Sequence, residues 1–197
     1  MTFALDSTAL DLLFREAKTA RVFTDEPVSD ETVAAVYDLV KWAPTAYNTS
    51  PLRLTVLRGR AARQRLLPLV SESNRKAIEA APLTVILSAD LDFHEKLPTL
   101  MPALPTLKDT LYADEELRER QALLNAALQI GYFVVGVRGA GLAAGPMSGF
   151  DATAVDKEFF GDGRQRSMVL VNIGHPAENA YRPRAPRLAA DEAVTVL

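Results

Sequence analysis

The segment from Glu115 to Arg138 constrains the fold most, because it carries the longest helical pattern in the chain. Its sequence, EELRERQALLNAALQIGYFVVGVR, begins with acidic residues and is almost wholly apolar in its second half. Gly139 and Gly141 follow it and are typical of a helix end. A helix this apolar must be buried. We therefore expect it to lie in the core of the monomer or against a partner subunit.

Shorter helical and strand patterns surround this segment. Helices are predicted over 7–17 with Ser7 as the N-cap, from Ser29 to Pro44, over 60–70, over 74–80 and after Asp151. Strands are predicted over 53–58, 83–89 and 167–174, and a glycine-rich turn over 143–150. Helices outnumber strands without strict alternation, which favours one α+β domain over residues 1–197 rather than a doubly wound parallel sheet.

Residues 92–114 place Pro98, Pro102 and Pro105 among leucines. Proline interrupts a regular helix, while the leucines remain available for contact. We expect a loop or broken helix that could act as a lid.

Composition excludes several classes of protein. The net charge is −3 with both signs interspersed, so no basic field is present to bind nucleic acid. Cysteine is absent and only His94 and His175 are histidines, which argues against disulfides, thiolate chemistry and zinc sites. The start of the chain resembles no signal peptide, and no run of eighteen apolar residues occurs. We expect a soluble, cytoplasmic protein that does not bind nucleic acid.

The strongest nucleotide and nucleophile motifs are also missing. The chain contains no GxxxxGK[ST] loop and no GxGxxG after a strand. Ser148 lies one residue out of register with a G-x-S-x-G nucleophile turn. No catalytic residue is assigned from these patterns.

Three separated clusters could carry chemistry, and each has a plain structural interpretation as well. Residues 18–23 (KTARVF) could bind an anion or simply complement a helix C-terminus. Residues 43–51 (APTAYNTSP) could bind a polar ligand or cap the neighbouring helix. Residues 145–149 (GPMSG) could present backbone N–H groups to a planar ligand or form a tight turn.

In this order and spacing the clusters resemble the FMN-dependent nitroreductase family over nearly the whole chain. Residues 18–23 resemble the family's R-S-x-R-x-F signature, and residues 44–51 resemble its P-S-x-x-N-x-Q-P-W loop. Residues 146–150 are similar to its P-x-E-G-F turn, and residues 182–186 (RPRAP) to its K-x-R-x-P ending. The strings KWAPT, NTSP, GPMSGFD and VNIG most resemble the malonic semialdehyde reductase (RutE/HadB) subgroup.

The resemblance implies a mainly antiparallel sheet packed by helices, in a homodimer with FMN between the two subunits. It also implies hydride transfer from NADH or NADPH through flavin N5 to a small aldehyde such as malonic semialdehyde, or to nitroaromatics or quinones. No metal and no membrane is implied.

The resemblance further implies roles for ten residues. The FMN phosphate would be bound by Lys18, Thr19, Arg21, Arg182 and Arg184. The pyrimidine edge of the flavin would be met by Thr45, Asn48 and Asn74. The backbone N–H groups of Ser148 and Gly149 would reach flavin N5 and O4.

The sequence departs from the family pattern at four of its positions, which are Ala17, Ser50, Leu52 and Ser148. Ser148 stands where relatives have glutamate, which opens the alternative of a flavin-binding protein without reductase turnover. A protein that only mediates interactions is the third interpretation.

Reduction of an aldehyde needs a proton on oxygen, for which Tyr47 and His94 are candidate donors. A substrate carboxylate would need a cation, for which Arg53 and Lys108 are candidates. A packed tyrosine, a surface histidine and solvated cations are the plain interpretations of these four residues.

Overall fold

The computed structural model describes residues 2–197, and its centre is a four-stranded sheet. The strands are β1 (Leu52–Leu57), β2 (Leu83–Asp90), β3 (Ala143–Met147) and β4 (Gln165–Gly174), in the order β1-β2-β4-β3. All three pairings are antiparallel. The predicted α+β class with a mainly antiparallel sheet is therefore confirmed.

The near-continuous apolar run of β2 follows from its central position. All eight of its residues are buried, because β1 and β4 flank it and helices cover the sheet. Its register pairs Leu83 with Ile173 of β4 and Ala89 with Leu52 of β1.

Eight helices pack on this sheet or extend from it within residues 2–197. They are α1 (Ser7–Leu10), α2 (Asp30–Val40), α3 (Arg60–Leu66), α4 (Glu72–Ala80), α5 (Leu97–Leu100), α6 (Glu115–Gly139), α7 (Ala152–Phe159) and α8 (Ala190–Ala193). A π-helical turn over Asp11–Arg15 continues α1, and α2 ends at Val40, before Pro44.

Side-chain caps fix several helix starts. Ser29 accepts a hydrogen bond from the backbone N–H of Thr32, as predicted for α2. Asp151 caps α7 in the same way. The prediction of Ser7 as a cap was wrong, because the carboxylate of Asp6 accepts from Ala9 N–H at 2.8 Å and takes that position.

The long helix α6 crosses the sheet and packs against α2. Ile130, Phe133 and Val137 are buried in the main core, together with Val36 and Val40 of α2. By length and composition alone α6 could span a membrane, but half of its most apolar window is buried inside the protein. The predicted burial of this helix within the monomer is confirmed for that face.

The predicted glycine-rich turn over 143–150 was wrong for its first part, which is strand β3. Ala143 pairs with Gly174 and Met147 with Leu170. Small residues suit this edge strand, because a Cβ on Gly145 would lie 2.6 Å from the carbonyl oxygen of Ala20. The N-terminal segment can therefore approach β3 closely.

Residues 92–114 form short helical turns around α5, which confirms the broken-helix prediction. Phe93, Leu97, Leu107 and Tyr112 are buried in a separate apolar cluster against α6. The role of this segment as a lid stays a prediction.

Candidate functional site

A cavity of about 550 Å³ lies between the segment after α1, the start of α4 and the turn after β3. It collects residues that are far apart in the sequence. Six of the ten predicted site residues line it, namely Thr19, Arg21, Asn74, Ser148, Gly149 and Arg182.

A smaller cavity of about 300 Å³ adjoins the first one. The two cavities share Thr19, Arg21 and Arg182, so they form one cleft. Lys18 and Arg184 line the smaller part, as does Arg187, which sequence reasoning missed. One end of the cleft is therefore strongly cationic and suits an anion.

Backbone hydrogen bonds bring the two ends of the chain together at this cleft. Ala20 N–H donates to Ala144 O of β3 at 3.0 Å, and Arg21 N–H donates to Ala180 O at 2.9 Å. Arg184 Nη2 donates to the carbonyl oxygens of Arg15 and Ala17, which satisfies acceptors at the end of the first helix. Arg184 thus binds the C-terminal segment to the end of the first helix and also adds positive charge to the cleft.

The turn after β3 presents two backbone donors to the cleft. The N–H groups of Ser148 and Gly149 find no acceptor among residues 2–197, and both residues are exposed. The carbonyl oxygen of Gly149 accepts from Asn74 Nδ2 and from Ser71 N–H, each at 2.9 Å. This contact leaves Asn74 Oδ1 as the acceptor that the amide can offer a ligand.

A side chain at position 149 would displace Asn74 and Ser71. A Cβ there would lie 2.9 Å from Asn74 Nδ2 and 3.0 Å from Ser71 Oγ. The turn therefore sits directly on the N-terminal end of α4.

Sequence reasoning missed several lining residues, including Ser71, Ser73 and Lys76 of the α4 region and Asn172 of β4. Asn172 Oδ1 accepts from Thr84 Oγ1 at 2.8 Å, and its Nδ2 donates to Ala77 O at 3.0 Å, which fixes the orientation of the amide. A buried asparagine in the apolar second half of β4 was the available signal for this position.

Thr45 and Asn48 are not brought to the cleft within this chain, because they line neither cavity. Thr45 Oγ1 accepts from Ser50 N–H at 3.2 Å, and Asn48 Nδ2 donates to Leu100 O at 2.9 Å. These two predicted residues belong instead to a separate loop before β1.

The backbone of that loop is strained. Tyr47, Asn48 and Ser50 have φ angles of 50°, 54° and 42°, and within residues 2–197 no other non-glycine residue has a positive φ. Each such conformation costs about 1–3 kcal/mol and persists only where the surroundings hold it. Strain of this kind is typical of binding sites.

The structure argues against Arg53 and Lys108 as free cations for a substrate carboxylate. Arg53 Nη2 lies 2.6 Å from Asp90 Oδ2, and Lys108 Nζ lies 2.8 Å from Glu95 Oε2. The hydrogen bond and charge of Lys108 lower the pKa of Glu95, which in turn raises the pKa of Lys108. Each cation is therefore already paired within the chain.

The two candidate proton donors differ in their surroundings. Tyr47 is exposed, whereas the side chain of His94 is only 13% exposed. Burial lowers the pKa of His94, with a further contribution from the charge of Arg118. His94 is thus neutral at pH 7, and its Nδ1 has no hydrogen-bond partner among residues 2–197.

Within the same described range, no group of three or more histidine or acidic side chains is close enough to bind a metal. The polar groups that line the cleft are cations, amides, hydroxyls and backbone N–H groups.

Comparison with solved structures agrees with the fold. The chain is similar to a nitroreductase family protein of Streptococcus pneumoniae, with a TM-score of 0.78 and 24% identity over 94% of this chain and 98% of the other. It is also similar to a protein of Exiguobacterium sibiricum solved in complex with FMN, with a TM-score of 0.84 and 18% identity over 100% and 99% of the chains.

Comparison with curated sequences gives closer relatives. A Streptomyces coelicolor protein provisionally named NADH dehydrogenase/NAD(P)H nitroreductase is 56% identical over the full length of both chains. A similarly named protein of Leptothrix cholodnii is 47% identical, also over both full lengths. The model of the Nitroreductase family matches residues 14–175, and the chain belongs to that family.

Proposed function

We propose that this protein is an FMN-dependent NAD(P)H oxidoreductase. The observation that carries the proposal is the single cleft in which cations from both ends of the chain adjoin two free backbone donors at Ser148 and Gly149. The relatives named NAD(P)H nitroreductase and the FMN complex of a structural neighbour support the choice of cofactor and donor.

The residues present fit FMN in both charge and shape. Lys18, Arg21, Arg182 and Arg184 suit a phosphate dianion at the cationic end, and the Thr19 hydroxyl adds a further polar group. Ser148 and Gly149 would donate their N–H groups to the polar edge of a planar ring. The two hydrogen bonds that Gly149 O accepts from Asn74 Nδ2 and Ser71 N–H hold the turn, and with it these donors, against the start of α4.

Bound FMN would supply hydride transfer between a reduced nicotinamide and an electrophilic acceptor. The chain's own residues bind the phosphate, orient the ring and fix the position of the acceptor. For an aldehyde, the overall reaction takes one hydride from NAD(P)H and one proton from solvent or a protein donor, and yields an alcohol and NAD(P)⁺.

For the substrate we propose malonic semialdehyde, reduced to 3-hydroxypropanoate, on the strength of the subgroup motifs. Its carboxylate needs a cation, and Arg53 and Lys108 are paired elsewhere. Lys76 lines the main part of the cleft but not the cationic end, and it makes no ion pair within the described range. We assign Lys76 to the substrate carboxylate.

A substitution at Lys76 tests this assignment. Lys76→Met should raise KM for malonic semialdehyde about tenfold or more, since a charge-assisted contact contributes about 1.5–3 kcal/mol. KM for an uncharged nitroaromatic should not change. A weaker FMN affinity instead would place Lys76 on the cofactor, and an unchanged KM for both substrates would reject its role.

We also propose a homodimer, in which a second copy brings its Thr45–Pro51 loop to the cleft. The support is an exposed apolar stripe on α6, formed by Leu124, Leu128 and Tyr132 at 56%, 48% and 49% exposure. Trp42, next to the loop, is 79% exposed. Such a stripe at i, i+4 and i+8 is typical of a helix that packs against a partner. A cytoplasmic location, where NAD(P)H is available, completes the proposal.

The absorbance spectrum of the purified protein tests the function directly. We expect flavin bands that remain after gel filtration, and rapid bleaching when NADH or NADPH is mixed in without oxygen. Bound flavin that does not bleach would favour a flavin-binding protein without turnover. Protein that takes up no added FMN would reject the proposal.

A further inference from the structure

The loop before β1 is held by two buried amides of α6, which carry no role so far. Asn125 and Gln129 are only 2% and 3% exposed on a helix whose other buried side chains are mainly apolar. They are four residues apart, so they lie one turn and about 6 Å apart along the helix. Each contacts a different end of the loop.

Asn125 fixes the entry to the loop. Its Oδ1 accepts from Ala46 N–H at 2.7 Å, directly before the left-handed residues. Its Nδ2 donates to the backbone oxygen and the side-chain oxygen of Gln121, at 2.8 and 3.2 Å. Because the donor side is occupied by Gln121, the acceptor side of the amide must face Ala46.

Gln129 fixes the exit from the loop. Its Oε1 accepts from Leu52 N–H at 3.0 Å, at the first residue of β1. An ion pair reinforces this end: Arg53 Nη2 lies 2.6 Å from Asp90 Oδ2, and Arg53 Nη1 donates to the carbonyl oxygens of Ser50 and Leu52 at 3.0 and 2.9 Å.

Buried amides on this helix face are costly unless their hydrogen bonds are satisfied, so an apolar residue would serve packing alone at least as well. Their acceptors instead meet two backbone N–H groups that flank Tyr47, Asn48 and Ser50, all at positive φ. We infer that Asn125 and Gln129 are positioning residues, which hold this strained loop in the conformation that presents Thr45 and Asn48 to the flavin of the second subunit in the proposed dimer. The inference rests on the proposed function for its cofactor part.

Paired substitutions at both positions test the inference. Asn125→Leu and Gln129→Met remove the acceptor at similar volume. Asn125→Asp and Gln129→Glu retain an acceptor oxygen, and because burial favours the neutral acid, they also supply an O–H donor in place of the amide N–H. Ser167→Ala is the matched control, because it removes a buried hydrogen bond to Ala152 O from β4, which β2 separates from β1 and the loop.

Two measurements are made on every folded variant. Hydrogen exchange of peptides covering residues 44–53 reports the loop without requiring FMN, and fluorescence titration gives the FMN affinity. We expect faster loop exchange and about tenfold weaker FMN binding in the two apolar variants, as expected for one lost hydrogen bond to a held backbone. The acidic variants and Ser167→Ala should stay close to the wild-type protein in both measurements.

The outcomes separate this inference from the proposed function. Unchanged loop exchange and FMN affinity in both apolar variants would overturn the positioning role, while the proposed function would stand. A wild-type protein that binds no FMN would overturn the proposed function and the cofactor part of this inference. If an apolar variant does not fold, its acidic counterpart decides: loop exchange like wild type supports the role, and exchange as fast as in the other apolar variant rejects it.

Discussion

The cleft and the loop before β1 carry motifs of similar length, but only the cleft motifs are brought together within one chain. In the cleft, residues from both ends of the chain line two joined cavities. The loop places Thr45 and Asn48 outside both cavities, although it is fixed by buried side chains. A single chain therefore assembles the cationic end of the cleft by itself, whereas the loop would meet a cleft only across the proposed dimer.

The two regions also hold their geometry by different physical means. The cleft depends on close backbone approach, which small residues such as Gly145 and Gly149 permit. The loop depends on three strained residues that buried amides stabilise. Close approach is vulnerable to an added methyl group, and strain is vulnerable to a lost hydrogen bond.

The largest expected effect is that of Gly145→Ala. The new Cβ would lie 2.6 Å from Ala20 O, so the segment carrying Thr19 and Arg21 must move away from β3. We expect destabilisation of about 1–3 kcal/mol from overpacking. FMN affinity should fall by more than about a hundredfold, because contacts of about 1.5–3 kcal/mol each are lost together.

Thermal melting and FMN titration check this prediction. Gly59→Ala is the matched control, because a Cβ there meets nothing within 4 Å. Wild-type affinity in Gly145→Ala would show that the cleft tolerates movement of its N-terminal segment.

Arg184→Ala should have the next largest effect. It removes a cation from the smaller cavity and the hydrogen bonds to Arg15 O and Ala17 O. We expect FMN affinity to fall about tenfold to a hundredfold, since a charge-assisted contact contributes about 1.5–3 kcal/mol. Arg184→Lys should have an FMN affinity between those of the wild-type protein and Arg184→Ala. Arg60→Ala is the control, because Arg60 lies at the exposed start of α3, and it should match the wild-type protein in the same titration. Equal affinities for all four proteins would remove Arg184 from the site.

A charge on the exposed stripe of α6 tests whether the loop acts across a dimer. Leu128→Glu should yield monomers in gel filtration with light scattering, because burial of an unpaired carboxylate costs several kcal/mol. FMN affinity should fall about tenfold, less than for Gly145→Ala, because the phosphate end stays intact in each chain. Ala61→Glu adds the same charge on α3 as a control. A Leu128→Glu protein that remains dimeric would show that the interface does not include this face of α6.

Much of the cleft could be predicted from the sequence, because its residues lie in short motifs at the ends of regular elements. Two of the main elements of the fold could be predicted as well. The pattern for α6 predicted residues 115–138 against an observed range of Glu115–Gly139. Strand β2 extended the predicted apolar run 83–89 by only one residue, to Asp90. These elements follow from local periodicity, which one sequence displays fully.

The rest depends on contacts that no local pattern encodes. Ala143–Met147 reads as a turn because alanine, glycine and proline have little strand preference, and only pairing with β4 makes it a strand. Asn125 and Gln129 appear as minor polar interruptions of an apolar helix. Their partners Ala46 and Leu52 are more than seventy residues away in the chain, so their role appears only in the folded protein.

The smallest effect concerns pH and falls on the loop side of the comparison. His94 lies on the segment whose Leu100 accepts a hydrogen bond from Asn48, and burial lowers the pKa of His94 below its usual 6.5. The unfolded chain then binds a proton more readily than the folded one, so the contribution of His94 to stability is complete above about pH 6.5 and is lost as the pH falls from there through the folded-state pKa. Glu95, whose pKa is lowered from 4.5, remains ionised over the upper part of this window, so the change in stability there belongs to the histidine.

We expect the melting temperature to fall modestly between pH 7 and pH 5, and the substitution His94→Gln to make this fall smaller. The protection factors of residues 44–53, which correct the exchange rate for its intrinsic pH dependence, should fall over the same range, while those of the segment 18–23 at the cleft should stay constant. An equal slope in His94→Gln would assign the acid sensitivity to another group.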